Sequence, residues 1–311
     1  MIAIQSVLCP VDFTPLSEKA LLTAINACRR FGARLVIEHN LDPAPPYWMG
    51  VTWMWSESHE PDLERKGAHA ELRLKEILDG LPPGMKGEAK LTRGPVVEGL
   101  LFVAGEVGAD LIVMGSHGWS SPDHASITEQ IIVSSPCPVL TVQAGDRVET
   151  LFADKASTAS RAPCALVPFE PSEHGLAVAR HALELAEEFS VRIVFLAIEA
   201  GDQESAGGED SIPRIADFGG FEARIRKMAP PGLSARLEFQ TGSGRPAEGI
   251  LECCSRIHPA LVVMGCHSGK GIRKLFSRST SKEILHRSRC PVWFVSPAAV
   301  QKGAQPARAG S

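Results

Sequence analysis

Apolar positions along the chain alternate between a period near two and a period near 3.6, the signature of strands interleaved with amphipathic helices. Ser6–Val11 reads as a β-branched strand and Leu16–Phe31 as a helix, with Leu21, Ala24, Cys28 and Phe31 on one face and Gly32 as its stop. Arg34–His39 is the next strand. Asp62–Leu78 is a charged amphipathic helix that ends before Gly80-Leu81-Pro82-Pro83-Gly84. A short strand near Glu88–Leu91 precedes a helix over Val96–Val107. Asp110–Met114 is an apolar strand, as a parallel sheet covered on both faces requires. A helix over about Ser126–Val133 leads to a last strand, Pro138–Val142.

The same plan returns in the second part of the chain. Strands are predicted over Cys164–Pro168, Val191–Ala197, Arg236–Gln240, Ala260–Met264 and Pro291–Val295. The helix Gly175–Phe189 carries Leu176, Ala179, Leu183 and Ala186 on one face. The recurrence extends to residue identity. Leu111-Ile112-Val113-Met114-Gly115 returns as Leu261-Val262-Val263-Met264-Gly265, an offset of 150 residues. Gly94–Leu101 answers Gly244–Leu251, Cys137-Pro138-Val139 answers Cys290-Pro291-Val292, and Leu8–Phe13 answers Leu166–Pro171. Matches in conserved order mean a duplicated domain, and the period is far too long for a solenoid. The predicted fold is α/β: two tandem open parallel five-stranded sandwiches, Rossmann-like, built from right-handed βαβ units. The expected divisions are domain 1 over residues 1–145, a linker over 146–162, domain 2 over 163–297 and a mobile tail over 298–311.

Composition adds exclusions. Of 311 residues, 44% are hydrophobic and 22% charged, which rules out collagen, a disordered chain and a disulfide miniprotein. The net charge of −4 lacks the basic excess of a nucleic-acid binder. No apolar run reaches the ~18 residues of a membrane span, and Met1–Gln5 has no basic flank or long apolar core, so a cytoplasmic location is expected. The eight cysteines form no C-x-x-C pair. They read as buried reduced thiols, and Cys253-Cys254 and Cys266-His267 lack zinc spacing, so no metal site is expected.

Candidate chemistry lies where open α/β sheets hold ligands, beyond the carboxyl ends of the strands. After the fourth strand of the second copy come Gly265, His267, Ser268, Gly269 and Gly271, then Lys270, Arg273, Lys274 and Arg278, then Ser279 and Thr280. Small residues let backbone N–H groups approach an anion, and a hydroxyl at the next helix start could cap it or meet a phosphate. The same residues also suit a glycine-rich turn with a solvated basic face. The pattern is not a P-loop.

With these motifs in view, the duplicated unit resembles the universal stress protein domain, over about residues 3–144 and 163–297. The resemblance rests on Val-Met-Gly-x-His, Cys-Pro-Val and the acid after the first strand. It implies an adenine nucleotide, ATP or AMP with Mg, in those members that bind one, and pairing through the last strands, so the two domains are expected to clasp as an intramolecular pseudo-dimer with Cys137–Val142 and Cys290–Val295 at or near their interface. Carried over residue by residue, it places Glu170, Gly265, His267, Ser268, Gly269, Gly271, Ser279 and Thr280 in a nucleotide site of domain 2. Ser268 and Arg278 stand where the family has glycine. In domain 1 it matches Asp12, Gly115, Gly118 and Ser126. There the loop departs from the family: 18 residues separate Gly118 from Cys137, against 21 between Ser268 and Cys290, and Asp123 opposes phosphate. Domain 2 is therefore the first choice and domain 1 is read as mainly structural.

Asp12 and Glu170 could instead cap the following helices. His117 and His267 read as polar loop histidines, with no nucleophile or orienting acid identified beside them. The Tyr47–Trp55 cluster suits a pocket cover, a homodimer surface or a fold-back onto its own domain, and Gly201–Ser211 reads as a mobile loop. The expected function is a stress-response module binding an adenine nucleotide, without catalytic residues. The alternatives are a nucleotide-free interaction scaffold and a slow ATP hydrolase.

Overall fold

The computed structural model describes residues 2–41, 60–116, 122–145, 152, 163–199, 218–266 and 278–303. The first half runs β1 (Ser6–Pro10), α1 (Pro15–Phe31), β2 (Arg34–Leu41), α2 (Glu60–Asp79), β3 (Gly87–Arg93), α3 (Val96–Glu106), β4 (Leu111–Gly115), α4 (Pro122–Ser134) and β5 (Val139–Val142). The second half runs β6 (Cys164–Pro168), α5 (Glu173–Phe189), β7 (Arg192–Glu199), α6 (Phe218–Met228), β8 (Leu237–Ser243), α7 (Pro246–Ile257), β9 (Leu261–Gly265), α8 (Arg278–Arg287), β10 (Val292–Val295) and α9 (Pro297–Gly303).

Caps fix where the first helix of each half starts and stops. The Thr14 and Ser172 side chains accept from the N–H groups of Ser17 and Gly175, so hydroxyls rather than Asp12 or Glu170 cap α1 and α5. Gly32 ends α1 in the left-handed region at φ 67°, and its N–H reaches the Cys28 carbonyl.

Among the described residues, ten strands join one sheet in the order β3-β2-β1-β4-β5-β10-β9-β6-β7-β8. Within each half the pairing is parallel. Of these strands β5 and β10 alone meet antiparallel, with Leu140 opposite Trp293 and Thr141 opposite Val292. The order reads the same from either end once each strand is exchanged for its repeat, as a pseudo-twofold axis between β5 and β10 demands. Successive strand residues point to opposite faces. Val7, Cys9 and Leu35 join a core with Leu21 of α1, Leu74 of α2, Leu176 of α5 and Ile225 of α6. Leu8 and Val36 join another with Leu100 of α3, Ile131 of α4, Ile250 of α7 and Ile284 of α8. Both cores run through both halves.

Polar contacts cross the same seam. The Gln143 amide donates to the Leu285 carbonyl at 2.9 Å, and Ser296 Oγ donates to the Ser135 carbonyl at 2.6 Å. Lys282 lies 3.0 Å from the buried Glu129 carboxylate. In the expected linker, Phe152 is buried against Phe31 and Phe189, at the ends of α1 and α5. Arg30 and Glu188 pair beside it at 2.7 Å. Seven cysteines are buried and Cys254 is half-buried, all as free thiols.

The segment after Pro297 differs from the expected bare tail. It begins as α9, because Ala299 finds a buried place in the core that contains α5. Residues 45–55 and 201–211 lie outside the described residues. Among the described residues no helix is long and apolar enough to cross a membrane.

Candidate functional site

In the first half the strand order reverses at β1, which has β2 on one side and β4 on the other. A crevice must open there beyond the carboxyl ends of the strands. A cavity of about 730 Å³ occupies it, within the range of small-molecule sites. Val11 to Thr14 follow β1, Glu38 to Leu41 end β2, and Met114 and Gly115 end β4. Leu63, Arg65, Lys66, His69 and Ala70 of α2 form one wall, and Val96 of α3 with Ile127 and Thr128 of α4 form another.

The turn after β1 is held by its own hydroxyls. Thr14 donates to Asp12 Oδ1 from its side chain at 2.6 Å and from its backbone N–H at 3.0 Å. Burial pushes the Asp12 carboxyl up, but the bonds from Thr14 and Ser17 outweigh it and hold the group below the ordinary carboxylate range. Phe13 sits at φ 60°, a left-handed conformation unusual for a bulky residue. Its ring is placed between His39, at 4.5 Å, and the Arg73 guanidinium, at 5.1 Å. The His39 ring is fixed in turn, because its Nδ1–H donates to the Val11 carbonyl at 2.7 Å.

A second polar group lies deeper. Glu38 is only 1% exposed. The Thr92 hydroxyl of β3 donates to its carboxylate, and Asn40 Nδ2 donates to the Thr92 oxygen at 2.8 Å. Asn40 Oδ1 is buried with no hydrogen-bond partner among the described residues. Burial pushes the Glu38 carboxyl up to about 7, although the Thr92 bond opposes the shift. Gly99 of α3 makes room for this trio: a Cβ there would lie 2.8 Å from Asn40 Nδ2 and 3.3 Å from Thr92 Oγ1.

The second half treats the equivalent positions differently. Strand register puts Leu196 where Glu38 stands, since Pro10 pairs with Glu38 and Pro168 with Leu196. By the same logic Ile198 and Gly242 replace Asn40 and Thr92. Leu196 and Ile198 are buried hydrocarbon, and Gly249, the counterpart of Gly99, faces Ile198. At the β9 end, a Cβ on Gly265 would lie 2.7 Å from His174 Nε2, so the His174 ring lies against that glycine. Glu170 is buried and accepts from Ser172 Oγ at 2.9 Å, repeating the Asp12–Thr14 pair.

Of the residues singled out in the sequence, Asp12 and Gly115 line the cavity. Ser126 lies in α4 and Ser279 in α8, and Thr280 is buried in α8. Gly118, His267, Ser268, Gly269 and Gly271 lie outside the described residues, as does His117. Glu38, Asn40 and Thr92 were not among the sequence candidates. Their signal was available: Glu38-His39-Asn40 interrupts a strand whose repeat reads Leu196-Ala197-Ile198.

Known proteins match this architecture. A sequence model described as the universal stress protein family matches residues 3–143 and 165–296. The chain belongs to the universal stress protein family. It is a tandem member, and each unit accounts for one half of the sheet. A universal stress protein of Thermus aquaticus is 30% identical over 144 residues, which span 45% of this chain and 98% of that protein. One from Methanocaldococcus jannaschii is 26% identical over 138 residues, 42% of this chain and 79% of that protein. A solved universal stress protein structure from Archaeoglobus fulgidus superposes with a TM-score of 0.68 at 17% identity. It covers 94% of this chain and 96% of its own, so the fold is shared along the whole tandem.

Proposed function

We propose that this tandem universal stress protein is a stress-response module that takes an adenine nucleotide in the cavity of its first half. The second half then serves mainly to complete the sheet. One observation carries the choice of half. The first half places the buried Glu38 and the half-buried Asn40 and Thr92 where the second has Leu196, Ile198 and Gly242, and the fold accepts both sets. Burying polar groups without full pairing costs free energy. Glu38 and Asn40 line the cavity, and Asn40 Oδ1, without a partner among the described residues, is suited to a ligand that supplies a donor.

An adenine nucleoside fits that chemistry. Its exocyclic amine donates to acceptors such as Asn40 Oδ1 or the Asp12 carboxylate. Its flat ring suits walls made by Val11, Phe13, Leu41 and Met114. Binding of one conformation of the two halves in preference to others would make the module responsive to nucleotide.

A second reading rests on spacing. The segment between Gly265 and Thr280 has the family's loop length, which the first half lacks, so domain 2 could hold the phosphates through Gly265, Ser279 and Thr280.

The test compares two variants in a thermal-shift titration with ATP, AMP and magnesium, beside an assay for nucleotide released on heat denaturation. Glu38→Leu with Asn40→Ile copies the second half's hydrocarbon and should fold while losing the nucleotide-induced rise in Tm. Gly265→Val should leave that rise intact. The reverse pattern assigns the site to domain 2. Absence of both bound nucleotide and any Tm rise in the wild type would favour the interaction scaffold, and sustained phosphate release would favour the slow hydrolase.

A further inference from the structure

We propose that the seam selects unlike halves: the edge strand and neighbouring helix of each half accept the other half of the tandem and reject a second copy of the same half. The inference is independent of the nucleotide and rests on residue pairs at the pseudo-twofold axis.

Local geometry fixes the correspondence between the halves. Ser135 Oγ donates to the Cys137 carbonyl at 2.6 Å, and Ser288 Oγ donates to the Cys290 carbonyl at 2.8 Å, so the two serines mark one place in both copies. Counted from them, Glu129 and Lys282 share a repeat position. So do Val133 and His286, Leu140 and Trp293, and Thr141 and Phe294. In a symmetric pairing of identical halves, a residue on the axis meets its own copy.

In this chain the residues that meet there differ in size. Leu140 lies opposite Trp293, and both are fully buried. Opposite residues of antiparallel strands point to the same face, so these two side chains share one space. To either side, Val139 meets Phe294 and Thr141 meets Val292. The first half thus brings Val, Leu and Thr, and the second brings Val, Trp and Phe. Two first halves would set leucine on leucine and leave a void. Two second halves would crowd indole against indole in a close-packed layer. His181 restrains the indole from swinging aside, since Trp293 Nε1 donates to its Nε2 at 2.9 Å.

Charge follows the same rule between α4 and α8. Lys282 Nζ lies 3.0 Å and His286 Nε2 3.6 Å from Glu129 Oε1, on a side chain that is 7% exposed. Two first halves would bury two carboxylates face to face, with Val133 where His286 stands. Two second halves would oppose two ammonium groups. Like charges that share a site disfavour the charged form of each, and specificity is built from such repulsion as well as from attraction. Volume and charge therefore agree on one partner for each edge, the unlike half.

Full-length variants can carry each rejected seam within one chain. Lys282→Glu/Trp293→Leu makes the second half resemble the first, and Glu129→Lys/Leu140→Trp does the reverse. In thermal denaturation at neutral pH both should melt below wild type. Exchange of all four residues should recover at least about half of their summed loss in Tm, because the effects of residues in contact do not add. Lys282→Glu alone should melt at least about 3 °C below Lys282→Gln, since it adds a repulsion as well as removing an attraction. Lys282 is exposed, so neither of these two variants disturbs the core. Co-refolded in equal amounts and sized by light scattering, the two double variants should form multi-chain particles that neither forms alone, because every half of one complements every half of the other. Additive losses on exchange, equal Tm for Lys282→Glu and Lys282→Gln, or a mixture that sizes as its separate components would each overturn the proposal.

Discussion

Trp293 Nε1 donates to His181 Nε2 at 2.9 Å, tying the strand at the pseudo-twofold seam to helix α5. The bond requires a neutral imidazole, since a protonated ring has no acceptor. Burial holds His181 down to about 4, against 6.5 in the unfolded chain. The unfolded state therefore binds the extra proton first. The His181 contribution is complete above pH 6.5 and lost as the pH falls through 4. His181→Gln keeps an acceptor that does not titrate in this range. Relative to wild type it should gain about 2–3 kcal/mol between pH 7 and pH 4, measured by urea denaturation at both values.

Glu38 carries the opposite slope. Its folded carboxyl titrates near 7 and its unfolded one near 4.5, because burial disfavours the carboxylate. The stability associated with Glu38 is present below pH 4.5 and lost as the pH rises through 7. Glu38→Gln should match wild type at pH 4 and exceed it by about 3 kcal/mol at pH 8. Equal stability of the two proteins at pH 8 would mean that Glu38 ionises in the fold as easily as in water.

Two glycines separate polar from apolar crowding. Gly99→Ala would place a methyl 2.8 Å from the Asn40 amide, which is held by Thr92, so the network must break or the helix must shift. The loss should be about 1–2 kcal/mol, even after the helix-propensity gain of alanine. Gly249→Ala meets Ile198 Cδ1 at 2.7 Å, the free end of a flexible chain that can turn aside. That variant should be within about 0.5 kcal/mol of wild type. Thermal denaturation of the pair decides the matter, and equal losses would refute it.

Phe152 fills a gap between the ends of α1 and α5, so it acts on both halves at once. Phe152→Ala should cost about 3 kcal/mol. Because the two cores cross the seam, wild type should melt in one calorimetric transition, and the variant should lower that transition without dividing it. Two resolved transitions in wild type would show that the halves unfold independently.

The sequence by itself determined the duplication, the order of strands and helices, and the sandwich fold of each half. These are written in local periodicity: Leu111–Gly115 and its repeat are apolar on both faces, and α1 shows its buried stripe at helical spacing. It also located Asp12 and Gly115, because they stand at strand ends. The tertiary structure decided what depends on contacts between distant segments. Thr92 and Glu38 are 54 residues apart and meet only because β3 pairs with β2 in one register. Gly99 matters only because α3 presses on that pair. The antiparallel β5–β10 pairing likewise follows from which edges are left free once each half has folded, and no single strand encodes it. Side-chain alternation sets which face a strand buries; packing of separate elements sets what that face meets.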